Sequence, residues 1–79
     1  MDHAIEYLRE YMSMDESLFL DEWHSGQYES IKECPSYETV KAYCDAINTL
    51  TKAYYEADYA RKCYISPIKI IRLYEEYEQ

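Results

Sequence analysis

The chain has 79 residues, of which 16 are Asp or Glu and 8 are Lys or Arg, for a net charge of −8. That balance excludes direct nucleic-acid binding, which needs cations to displace phosphate counterions, and it disfavours anionic membrane surfaces. One Gly and two Pro leave little material for tight hairpins, so a single all-α domain of four to five helices is expected over a sheet of short strands.

A first helix is predicted from about Asp2 to Met12. Asp2 supplies a cap, and Ile5, Leu8 and Met12 recur at helical spacing beside Ala4 and Tyr11. Ser13-Met14-Asp15-Glu16 has the S-x-x-E form of a capping box, so a second helix is expected to follow it to about Ser25. That helix is expected to bury Met14 and Leu18, with Phe19 and Trp23 as further candidates, and Gly26 stops it. Residues 27–34 read as a short helix with Tyr28 and Ile31 inward. Pro35 ends it, because the residue before a proline is pushed out of the helical region.

The strongest pattern follows. From a cap at Ser36, a helix over about 37–65 is predicted as the long centre of the bundle. Val40, Tyr43, Ile47, Leu50, Tyr54, Ala57, Arg61 and Tyr64 alternate steps of three and four along it. Ala46, Ala53 and Ala60 flank this seam seven apart, and small side chains let a neighbouring helix approach closely. Two uses of the seam remain open: the spine of a bundle within one chain, or a dimer interface. Pro67 fits the first position of a last helix, whose apolar face is expected to hold Ile68, Ile71 and Tyr74, with Ile70 and Tyr77 nearby.

The strictly apolar set is thin. Ile, Leu, Val, Met, Phe and Trp number 18, against 11 Tyr. A core of this size gives roughly 3–5 kcal/mol of net stability, so self-association or partner binding is expected to add to it. Cys34, Cys44 and Cys63 lack metal-site spacing and read as small buried hydrophobes in a reducing compartment, with a Cys34–Cys44 bridge left open. The amino-terminal stretch has no basic start leading into an apolar run, and no run is long enough to span a bilayer, so a cytoplasmic location is expected.

Catalytic and metal constellations are not visible. His3 and His24 fit neither the HExxH spacing nor a recognisable triad, and one Gly rules out a glycine-rich phosphate loop. No enzyme activity, metal or cofactor is therefore expected. Charge asymmetry is the more informative feature. Residues 1–30 hold eight acids and one base, residues 31–74 five acids and seven bases, and residues 75–79 three acids. The acidic third supplies the candidate partner-binding residues Asp2, Glu6, Glu10, Asp15, Glu16, Asp21, Glu22, Trp23, Tyr28 and Glu29. A second candidate interface on the long helix comprises Ala46, Ala53, Tyr55, Tyr59 and Ala60, because exposed Tyr beside small residues suits protein contact.

In its short length, its charge, its Tyr content and the acidic stretch MDHAIEYLREYMSMDESLFLDEW, the chain resembles the small acidic inhibitors encoded by phages and mobile elements, such as anti-CRISPR proteins and other DNA mimics. The resemblance implies a stoichiometric blocker in the host cytosol. Such a blocker would occupy the basic channel of a nucleic-acid-binding protein, for instance a CRISPR effector. It carries no residue roles. The alternative expectation is a helical adaptor or homodimer that uses the Tyr/Ala face of the long helix.

Overall fold

The structure, a computed structural model, describes residues 2–78, and it is all-α, with no strand among them. Helix α1 spans Asp2–His24, α2 Tyr37–Tyr54, α3 Ala57–Lys62 and α4 Pro67–Glu78, with a single 3₁₀ turn at Ile31–Glu33 before α2.

The two helices expected in the first 25 residues are one. Neither Gly nor Pro interrupts the stretch around Ser13, and the Ser13 hydroxyl donates to the Glu10 carbonyl at 2.7 Å instead of capping a new helix. The capping box lies elsewhere, at Ser30-Ile31-Lys32-Glu33, a second S-x-x-E. There Ser30 Oγ accepts from the Lys32 N–H, and Glu33 Oε2 accepts from the backbone N–H groups of Ser30 and Glu29. The helix expected over 27–34 thus shrinks to one 3₁₀ turn; Ile31 within it and Tyr28 ahead of it are half-buried against the core.

Helix α1 ends where Gly26 adopts a φ of +76°, a left-handed conformation that costs a side chain strain. The Ser25 hydroxyl donates to the Glu22 carbonyl. His24 Nδ1–H donates to the Leu20 carbonyl at 2.8 Å, while its ring lies 5.1 Å from that of Tyr74 and so links α1 to α4.

Helices α1 and α2 pack antiparallel: Met12 Sδ lies 4.0 Å from Cys44 Sγ, and Glu22 reaches Ser36. The core is Met12 and Phe19 of α1, Tyr37, Val40, Cys44 and Ile47 of α2, Ile70 and Ile71 of α4, and Cys34 of the connection. Phe19 meets Tyr37 edge to face, with centroids 6.2 Å apart. Met14 and Leu18, expected inside, are exposed. Once 2–24 is a single helix, its inward face is set by Ile5, Leu8, Met12, Phe19 and Trp23, and Met14 and Leu18 turn away from it.

The central helix expected over 37–65 stops at Tyr54, and α1 is the longest helix. Met12 opposite Cys44, and Ile5 lining a cleft with Thr51, place the start of α1 level with the end of α2. Beyond Tyr54 a continuing helix would have no α1 to pack on. The chain leaves helical geometry at Tyr55 and Glu56, and α3 folds back, burying Ala60. The inward stripe of α2 is Tyr37, Val40, Cys44, Ile47 and Thr51, while Tyr54 and Tyr64 of the expected seam are exposed. Thr51, the buried polar residue of this stripe, donates its hydroxyl to the Ile47 carbonyl.

Asn48 fixes the return of the chain. Its Nδ2 donates to the Ile65 carbonyl at 2.7 Å, and its Oδ1 accepts from the Ile65 N–H at 2.9 Å. Helix α4 then begins at Pro67, with Ser66 Oγ accepting from the Lys69 N–H. Its inner face is Pro67, Ile70 and Ile71, whereas Ile68 and Tyr74, expected inside, are exposed and the Tyr77 side chain lies outside the described set.

Candidate protein-binding surface on α1

Helix α1 carries seven acids and one base, and its buried face is already occupied by the core. Four large apolar side chains on the remaining surface stand out: Tyr7, Tyr11, Met14 and Leu18 are 57%, 65%, 76% and 53% exposed. Their spacing of i, i+4, i+7 and i+11 puts them in one line along the helix. Among the described residues nothing covers that line. Exposed apolar residues scattered singly need no explanation, but four in line form a contiguous patch of the kind that marks contact sites.

The predicted acids take four distinct positions around this line. Glu6, Glu10 and Asp21 are exposed along one edge of it, with His3 Nδ1 3.8 Å from the Glu6 carboxylate. Asp15, half-buried, lies on the other edge, one turn from Tyr11 and from Leu18. Glu16 faces α4 instead, in a cleft shared with Arg9, Met12, Leu20 and Ile70. Burial there pushes its carboxyl above the usual range, against the lowering pull of Arg9.

Glu22 serves the fold. Its Oε1 accepts from the Ser36 backbone N–H at 2.9 Å and its Oε2 from the Ser36 hydroxyl at 2.8 Å, so one carboxylate holds the entry to α2. Ser36 therefore does not cap α2 with its own side chain. Trp23 and Tyr28 are half-buried against the core, Glu29 is exposed in the connection, and Asp2 opens α1 with its side chain outside the described set. The acidic third thus does not gather on one face.

Spacing argues against literal imitation of a phosphate chain. Glu6 and Glu10 are one turn apart, about 6 Å, and the next acid along that edge, Asp21, is roughly 16 Å further on. One DNA strand presents a charge about every 3.4 Å of axis. That edge alone is thus sparser in charge than a nucleic-acid strand.

The second candidate interface is divided by the break at Tyr55. Ala46 and Ala53 are exposed on α2, but Ala60 is buried on the inner side of α3. Tyr55 and Tyr59 stack on each other with centroids 4.8 Å apart and, with Ile5, Glu6 and Arg9, line a cleft of about 360 Å³ between α1 and α3. These five residues do not form one face.

The thiols are all free. Cys34 and Cys44 are buried, and burial, reinforced by Asp45 and Glu16, pushes the Cys44 thiol up to about 11. The Cys34 thiol is also raised, by burial first and then by Glu22 and Glu33. Among the described residues no three His, Cys, Asp or Glu side chains converge as a metal site, and no helix is long and apolar enough to cross a membrane.

Sequence reasoning placed the candidate surface on residues 1–30 through their acids and missed the apolar line on α1. The signal was present in the spacing of Tyr7, Tyr11, Met14 and Leu18, and it becomes visible once residues 2–24 are read as one helix. The chain matches no protein-family model, no curated protein and no solved structure.

Proposed function

We propose that this chain is a protein-binding module that acts by occupying a basic partner, with the outer face of α1 as its contact surface. The observation that carries the reading is the uncovered line of Tyr7, Tyr11, Met14 and Leu18 beside Glu6, Glu10 and Asp21. Burying a large apolar side chain contributes about 1.5–3 kcal/mol, so such a line supplies adhesion. The flanking carboxylates supply steering: they speed encounter with a positively charged surface and disfavour acidic partners. A partner that handles nucleic acid presents such a surface, and a bound α1 would obstruct it. The chain would then act as a stoichiometric inhibitor, the role that the resemblance to phage-encoded acidic inhibitors implies.

The test is affinity capture from a bacterial lysate containing candidate CRISPR effectors, at low and high salt, with the full chain and with Met14→Glu. The expected result is a basic nucleic-acid-binding protein retained at low salt, weakened at high salt, and lost with Met14→Glu. Because Met14 is the most exposed of the four, that change should leave the melting temperature within a few degrees of the parent. Equal capture by Met14→Glu would remove α1's outer face as the contact surface.

A further inference from the structure

Helix α4 and its lead-in cover one side of the α1/α2 pair, where Ile65, Ile70 and Leu73 face Arg9, Met12 and Leu20. On another flank of the pair an open groove of about 530 Å³ is lined by residues of α1 and α2 alone: Leu8 of α1 and Ala42, Tyr43 and Ala46 of α2, with Glu38 and Thr39 on its rim. Leu8 is the neighbour of Tyr7 in sequence and lies one turn before Tyr11, so the groove continues sideways into the apolar line on α1.

We infer that this groove receives a cationic amphipathic helix from the partner protein; the inference rests on the protein-binding reading above and specifies the occupant. Shape is the first argument. Ala42 and Ala46 lie one turn apart and carry a single methyl each, so a helix laid along them approaches at the near end of the usual 8–10 Å between axes. Leu8 and Tyr43 then offer sites for its i, i+3, i+4 and i+7 side chains. Charge is the second. No Lys or Arg lines the groove, whereas Glu38 stands on its rim and Asp15 on the edge of the adjoining line. A helix with Lys or Arg beside an apolar face meets Glu38 on the rim of the groove and, where it extends over the adjoining line, Asp15. A second copy of this chain would bring its own charge of −8 against the same carboxylates, which disfavours it.

The test uses the full chain and an acetylated 14-residue peptide of Leu and Lys, with leucines at helical spacing, about 21 Å long when helical. Two controls accompany it: a scramble of the same composition and a version with Glu for Lys. Amide chemical shifts and calorimetry are read. The expected result is that the Leu/Lys helix binds and shifts Leu8, Ala42, Tyr43 and Ala46, that the Glu version does not bind, and that Ala46→Arg weakens binding roughly tenfold by filling the groove and adding like charge. Glu38→Lys should also weaken it, with the fold unchanged by circular dichroism.

Equal binding of the scramble would reduce the effect to charge alone and overturn the inference. So would shifts confined to Tyr7, Met14 and Leu18, an outcome that leaves the outer face of α1 standing as a contact surface while removing the groove. Sedimentation showing a dimer of the free chain that Ala46→Arg dissociates would assign the groove to a second copy. Absence of binding by the Leu/Lys helix also refutes it, and the capture experiment with Met14→Glu then judges the wider reading separately.

Discussion

Replacing Glu22 with Ala tests whether that acid belongs to the fold or to the surface. Its carboxylate accepts two hydrogen bonds from Ser36, at 2.9 and 2.8 Å, in a partly buried position at the start of α2. A hydrogen bond to a charged group contributes about 1.5–3 kcal/mol, and loss of a helix cap costs about 1 kcal/mol. The two bonds share one carboxylate and are partly solvated, so the expected loss is about 2 kcal/mol rather than the sum. For a domain of this size each kcal/mol moves the midpoint by about 4–8 °C, giving a fall of about 8–16 °C. Glu10→Ala and Asp21→Ala, exposed and without a long-range contact, should melt within a degree or two of the parent. Thermal unfolding followed by far-UV circular dichroism measures all three. The double variant with Ser36→Ala should melt close to Glu22→Ala alone, because both remove one interaction. A Glu22→Ala protein that melts with Glu10→Ala would refute a structural role and return Glu22 to the candidate contact residues.

Asn48→Ala removes both bonds that seat Ile65 and should cost about 1–3 kcal/mol, read as a lower urea midpoint. Glu16→Gln should stabilise the fold near pH 7. Burial raises the folded carboxyl above its ordinary value, so the ionised form opposes folding at neutral pH, and that opposition fades as pH falls through the raised value. The gain should vanish in melts below about pH 4, where both states are protonated. At pH 8 Cys63, half-buried, should react with a thiol reagent well before Cys34 and Cys44, which are buried and should react together on the unfolding timescale. Gly26→Ala should cost about 1 kcal/mol by backbone strain alone, since a Cβ there meets nothing within 4 Å.

The all-helical character of the described residues was legible from the scarcity of Gly and Pro, and the starts at Tyr37 and Pro67 from Ser36 and the proline. Boundaries inside long apolar stretches were not. Two S-x-x-E sequences compete as capping boxes, and nothing local reveals that Ser13 bonds back to Glu10 while Ser30 caps. The end of α2 was invisible for a different reason. The seam of three and four continues past Tyr54, but the helix that would cover it does not, and the length of α1 opposite is a tertiary fact. Misplacing those ends moved Met14 and Leu18 from surface to core, and with them the apolar line that marks the candidate site. The acids were found by composition; which of them work inside the fold, Glu22 above all, depends on where Ser36 arrives.

The pair of bonds between Asn48 and Ile65 also has a kinetic meaning. Helices α1 and α2, joined by residues 25–36, share most of the core, whereas α4 is connected through α3 and seated by the two Asn48–Ile65 bonds. Amide exchange from the native state should therefore come in two tiers, with the antiparallel pair opening only when the whole molecule unfolds and the last helix detaching at lower cost. Opening the Asn48–Ile65 latch would uncover the Arg9–Leu20 flank of α1 while its outward line of Tyr7, Tyr11, Met14 and Leu18 stays as it was, so a momentary loss of the last helix would leave that candidate surface in place.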